Sequence, residues 1–165
     1  MRLGSVAVVG LVPISMGEAN ALLVEWDHYL GPCDRPFRNE AWALDVMGEP
    51  VSLAVTSSIV SDQVCGYPMK NVVELSRLAS RERWATRVTL RLWREVAARR
   101  YLPWSPDAAV AYSKNDRHEG RIYRFDGWEK ITDKAGSGGG GTWSSKRAAC
   151  DPAHGKKTLW IWRYT

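Results

Sequence analysis

Three histidines (His28, His118, His154) and three cysteines (Cys33, Cys65, Cys150) are the residues here best suited to metal or thiol chemistry. None falls in an H-x-x-x-H, H-E-x-x-H or C-x-x-C spacing, which would bring two ligands onto one helix face or one turn, so no resident metal is expected. The widely separated cysteines read as reduced thiols, in keeping with a cytoplasmic protein. Arginine is more suggestive. Arg83, Arg87, Arg91 and Arg94 recur at steps of four, four and three, which gathers four guanidinium forks on one helix face. Late in the chain Lys146, Arg147, Lys156, Lys157 and Arg163 are interspersed with Trp143, Trp160 and Trp162. Bases with aromatics suit a nucleic-acid strand, the charges meeting phosphate and the rings meeting bases. Trp160 and Trp162, two apart, share a strand face and can equally pack into a core.

The elements that must position these groups come from a chain of 165 residues, 45% hydrophobic and 25% charged. That composition excludes wholesale disorder and suits one domain, 1–165, with a real core. The net charge of +5 conceals a polarised chain. Residues 16–50 hold two Arg against seven acids, residues 76–101 eight Arg against two Glu, and residues 143–165 five bases against one acid. The early part is acidic and the later part basic, which permits a polyanionic partner such as DNA. No apolar run approaches the roughly 20 residues of a membrane helix, and Val6–Val12 reads as a buried strand rather than a signal peptide.

Ser15 with Glu18 three residues on is a capping-box pattern, and Ala19, Leu22, Leu23, Trp26 and Leu30 continue it at helical spacing as far as Gly31-Pro32. Residues 41–46 and 51–56 flank Gly48-Glu49-Pro50 as a β-hairpin. Gly66-Tyr67-Pro68 marks a loop, and Val72–Leu78 alternates as a strand. Thr86–Arg100 is the clearest helix, with an apolar stripe of Ala85, Val88, Leu92 and Val96 joined by Trp93 and Ala97, and Pro103 and Pro106 end it. A short strand at 108–112 comes next, then a short helix through Phe125 that Asp116 or Glu119 can cap and Gly127 closes. Strands at 128–132 and 158–164 flank the Gly-rich run 136–141, read as a flexible connector or a substrate lid. This order predicts an α/β (α+β) fold, a central mixed sheet with helices on both faces.

That order resembles the GNAT acyltransferases, and Tyr123-Arg-Phe-Asp-Gly127-Trp128, preceded by Asn115, is similar to a motif of that superfamily. Three clusters together resemble its phage Mom-like branch: Trp26-Asp-His-Tyr29, Glu74-Leu-Ser-Arg77, and the stretch Ala111 to Arg124. The resemblance implies a cytoplasmic phage or prophage enzyme that modifies the exocyclic amine of adenine in DNA. Acetyl-CoA-dependent N-acetylation of a small amine or protein, and a non-catalytic nucleic-acid- or host-factor-binding module, are the alternatives. A monomer and a homodimer are both open.

The resemblance also implies site residues. Tyr123 stands where many such enzymes keep the acid for the departing thiolate. Glu74 stands where a general base sometimes sits, or else pairs with Arg77. His28 would be a base or ligand and Tyr29 would stack on the acceptor. Ser76, Arg77, Tyr112, Ser113 and Asn115 would line the donor cleft, with acetyl-CoA or a related acyl donor in it. One departure is plain: the superfamily's glycine-rich pyrophosphate loop is replaced by Ser80-Arg-Glu-Arg-Trp-Ala-Thr86, without a glycine. Arg81, Arg83 and Arg87 are then expected to meet phosphate by side chain. Arg91, Lys146, Arg147, Lys156 and Lys157 are the expected DNA contacts.

Overall fold

A computed structural model describes residues 9–36, 38–117, 119–135 and 155–165. The expectations for His118, Trp143, Lys146, Arg147, His154 and the run 136–141 lie outside the described residues. Seven strands form one sheet in the order β1 (Val9–Ile14), β2 (Asn39–Val46), β3 (Glu49–Ser57), β6 (Val72–Ser80), β7 (Ala108–Lys114), β9 (Lys157–Arg163), β8 (Glu129–Ala135). All neighbours are antiparallel except β6 and β7. A two-stranded hairpin, β4 (Gln63–Val64) and β5 (Tyr67–Pro68), stands apart. The sequence predicts only a loop there; Cys65 and Gly66 both take positive φ, the conformation of a tight hairpin turn.

Strand alternation explains why helices cover both faces. Leu53 and Val55 point to α1 (Met16–Glu25), which buries Ala19 and Leu23 against them. Ala54, Val73, Leu75, Ala109 and Ala111 point to the other face, onto the helical segment 85–101. α1 begins as its residues dictate: the Ser15 hydroxyl accepts from Glu18 N, and the Glu18 carboxylate accepts from Ser15 N. Among the described residues β1 is an edge strand, so Val9 and Val12 are exposed rather than buried.

The segment 85–101 comprises α2 (Ala85–Leu92), a π-helical turn (Trp93–Ala97) and α3 (Ala98–Tyr101). The extra residue in a π turn rotates the helix beyond it. Of the expected stripe, Ala85, Trp93 and Ala97 are buried, together with Thr89, Leu90 and Tyr101, whereas Val88 is exposed and Leu92 and Val96 are half-buried. Trp93 anchors this face: fully buried, it donates its indole N–H to Thr56 Oγ1 at 2.7 Å. α4 (Arg121–Asp126) is closed by Gly127 in the left-handed conformation, as expected. Its N-cap is Gly120, with no side-chain cap bond, rather than Asp116 or Glu119. Those acids pair instead with Lys114 and Arg121.

Candidate active site

The site begins with a strand pair that comes apart. β6 and β7 pair from Val72↔Ala108 to Leu75↔Ala111, and there the pairing ends, although β6 runs on to Ser80 and β7 to Lys114. The cause lies on the other edge of β6. Against β3, Val55 faces Arg77 and Thr56 faces Leu75, so Ser76 is an extra residue in a β-bulge. A bulge bends its strand and sharpens its twist. The divergence opens a cavity of ≈ 1190 Å³.

Tyr123 enters this cavity from α4, 8% exposed. Its ring stacks on Trp160 (centroids 5.8 Å apart) and meets the edge of Trp128 (5.4 Å). Burial is the main force pushing its phenol above the ordinary tyrosine value, with Tyr29 and Glu74 adding to it, so the hydroxyl keeps its proton. Gly120, at φ +65, lies so close to Trp160 that a Cβ there would be 2.5 Å from the ring. Only glycine lets the start of α4 rest on that indole.

α4 is fixed at its other end by Asp126, whose side chain is fully buried. Asp126 accepts from Arg91 Nε at 2.7 Å, from Arg94 Nη1, and from Trp128 Nε1 at 3.2 Å. Arg94 itself lies flat on Trp162, 3.7 Å from the ring centroid. These contacts correct one expectation. Arg91 and Arg94 do not present a free cationic face; they pin α4, and Arg87 also donates to Phe125 O at 3.0 Å. Trp160 and Trp162 pack into the aromatic cluster that carries Tyr123, one of the two readings their spacing left open.

The opposite wall is the turn that follows α1. His28 and Tyr29 both line the cavity, their rings 5.1 Å apart. His28 Nδ1 accepts from Leu30 N (3.3 Å), and Arg117 lies over the Tyr29 ring. Burial raises the Tyr29 phenol. Nearby, the buried indole Nε1 of Trp26 has no hydrogen-bond partner among the described residues.

On β6, Ser76 and Arg77 line the cavity. Ser76 Oγ is 2.8 Å from Ser57 Oγ and donates to Val55 O, which holds the bulge in place. Arg77 donates to Gly31 O and Pro32 O, both at 3.0 Å, and to Ser76 O, so it straps the loop after α1 to the sheet. Burial lowers its pKa. Glu74 does not line the cavity and does not pair with Arg77. Arg35 holds it in a two-pronged ion pair at 2.8 and 2.5 Å, with the Glu74 side chain 4% exposed.

From β7, Tyr112 and Ser113 line the cavity. Burial raises the Tyr112 phenol, and Ser113 Oγ accepts from Trp160 Nε1 at 2.9 Å. Asn115 is a brace instead of a donor contact: Nδ2 donates to Asp133 O and Oδ1 accepts from Thr158 Oγ1. Lys156 and Lys157 lie at the start of β9 and do not line the cavity. Arg83 does line it, whereas Arg81 and Arg87 do not. Arg35 went unnoticed in the sequence, and no role was read for Asp126, Arg117 or Arg121. Asp126 carried a signal there as the acid inside the Tyr123–Gly127 motif, and Arg117 and Arg121 as members of the Ala111–Arg124 stretch.

Among the described residues, no group of three or more His, Cys, Asp or Glu is placed to hold a metal ion. Among them also, no helix is long and apolar enough to cross a membrane.

No protein-family model matches the chain, and no curated protein does. Solved structures do. An acetyltransferase from Thermus thermophilus aligns with TM-score 0.56 at 16% identity, covering 95% of this chain and 97% of that one. An Arabidopsis thaliana protein in complex with acetyl-CoA aligns at 0.59 and 10%, covering 94% and 98%. A spermidine N-acetyltransferase from Vibrio cholerae aligns at 0.61 and 6%, covering 94% and 93%. The chain therefore has the mixed α/β fold of the GNAT acetyltransferases.

Proposed function

We propose that this chain transfers an acyl group from a pantetheine-type thioester, acetyl-CoA in the simplest case, to an amine nitrogen. The observation that carries the reading is the open strand pair: among the described residues, β6 past Leu75 has no partner on its β7 side, and Tyr123 stands in the gap. An unpaired strand edge offers backbone donors and acceptors to the amides of an extended arm. The neighbours point the same way, one being solved with acetyl-CoA and another acting on spermidine.

The residues present fit the arm of such a donor: the β6 edge beyond Leu75 and Ser113 would flank it, and Tyr123 would lie near its thioester end. When bound, the donor supplies an activated carbonyl and a thiolate leaving group. Tyr123 holds a phenolic proton in a dry aromatic setting and can give it to a departing thiolate. Glu74 is not free to act as the base, since Arg35 takes both its oxygens. His28, with Nδ1 accepting from Leu30 N, carries its neutral-state proton on Nε2 and orients rather than deprotonates. The amine then loses its proton to water through the open cleft.

The acceptor is the finer question. Spermidine, an aminoglycoside, a peptide N-terminus and a deoxyadenosine-containing oligonucleotide, each incubated with acetyl-CoA and analysed by mass spectrometry, test it. The first three are the leading classes. Adenine in DNA stays as a second reading because of one observation: all three clusters that resemble the Mom-like branch reach the same cavity or its floor. A base would have to leave the stack to enter. Modified nucleoside with no acetylated amine would reverse the order of the two readings. No product from any acceptor with folded protein would overturn both.

A further inference from the structure

In the turn between β6 and α2, three main-chain amides are already engaged within the protein. Arg81 N and Glu82 N both donate to Val51 O, at 2.9 and 3.3 Å, and Ala85 N donates to Glu82 O at 2.9 Å. Ser80 Oγ bonds to the Glu82 and Val51 carbonyls and pulls the turn onto the start of β3. An anion nest needs a left-handed residue among right-handed ones. Among the described residues, the positive-φ positions lie elsewhere, and none falls in 80–86.

Four arginines line the cavity: Arg77, Arg83, Arg117 and Arg121. Arg77 is committed to Gly31 O, Pro32 O and Ser76 O. Arg117 lies over the Tyr29 ring at the α1 wall. Arg83, exposed at the head of α2, has no carboxylate within ion-pair reach among the described residues. Among the described residues Arg121 pairs with Glu119, and both side chains are 72% exposed, so water already screens that pair.

We propose that Arg83 and Arg121 form a side-chain phosphate clamp that replaces the backbone cradle, gripping the donor's phosphates from the α2 and α4 sides of the cleft. The inference rests on the donor reading above and deepens it. Its consequence is a division of labour. The strand edge reads the pantetheine arm, and the two guanidiniums read the phosphates.

Calorimetric titration of the full chain with CoA and with pantetheine, which lacks phosphates, separates these parts. For Arg83→Ala the Kd of CoA should rise about tenfold, the value of one charge-assisted hydrogen bond. Arg83→Ala/Arg121→Ala should raise it further, and Arg83→Lys should recover part of the loss. The Kd of pantetheine should move less than twofold throughout. CoA affinity unchanged by either substitution, or equal losses for CoA and pantetheine, would overturn the clamp. Wild-type protein that binds CoA through these arginines yet acylates no amine would leave the clamp standing and sink the transfer reaction. Binding of neither ligand would overturn both.

Discussion

Both carboxylate oxygens of Glu74 are held by the guanidinium of Arg35, which reaches β6 from the loop after α1. Arg35 also donates to Ser58 O, so one side chain ties that loop to the ends of two strands. The pair supports the cleft wall rather than moving protons. Glu74→Gln should destabilise the protein by about 3–5 kcal/mol, because it strands a largely buried guanidinium. Glu74→Gln/Arg35→Met should recover much of that. Denaturant unfolding measures both. Activity should track the folded fraction; a hundredfold fall in kcat at unchanged stability would instead make Glu74 the base.

Tyr123→Phe removes one hydroxyl and keeps the ring stacked on Trp160. Steady-state kinetics should show kcat down by about a hundredfold or more, the range for a lost general acid. The donor KM should change little, and the unfolding midpoint should barely move.

The raised pKa of Tyr123 has a signed consequence. The folded protein keeps a proton that the unfolded chain releases near pH 10, so this contribution is intact below pH 10 and stability falls as pH rises beyond it. Tyr112 and Tyr164 act in the same direction. A spectrophotometric titration should show these three ionising only well above pH 10 or on unfolding. The rate should show no loss attributable to the acid below pH 10.

Asp126→Asn should cost about 3 kcal/mol or more, because two guanidiniums converge on that buried carboxylate. Gly120→Ala should cost about 2–4 kcal/mol, combining a 2.5 Å contact with Trp160 and a left-handed backbone. Thermal unfolding monitored by circular dichroism checks both.

Local features were legible in the sequence. The Ser15–Glu18 box, the hairpin around Gly48 and the closing Gly127 each depend on residues a few positions apart, and each formed as read. Features that depend on the tertiary fold were not. Arg35 meets Glu74 across 39 positions and Arg94 meets Asp126 across 32, so neither partner was visible by spacing. The π turn at Trp93 rotated the buried face of the long helical segment, and the bulge at Ser76 opened the cleft. Neither has a period to detect. The site was legible in part for the same reason. His28, Tyr29, Arg77 and Tyr123 all reach the cavity, whereas Arg87, Arg91 and Asn115 became braces once their elements packed.

The central claim is that the gap between β6 and β7 binds an acyl thioester and delivers its acyl group to an amine. The most direct measurement is amine-dependent release of free thiol from acetyl-CoA by purified wild-type protein, with Tyr123→Phe alongside. Release should require an amine and slow by about a hundredfold in the variant. Equal rates in wild type and variant, or no release with any amine from folded protein, would contradict it.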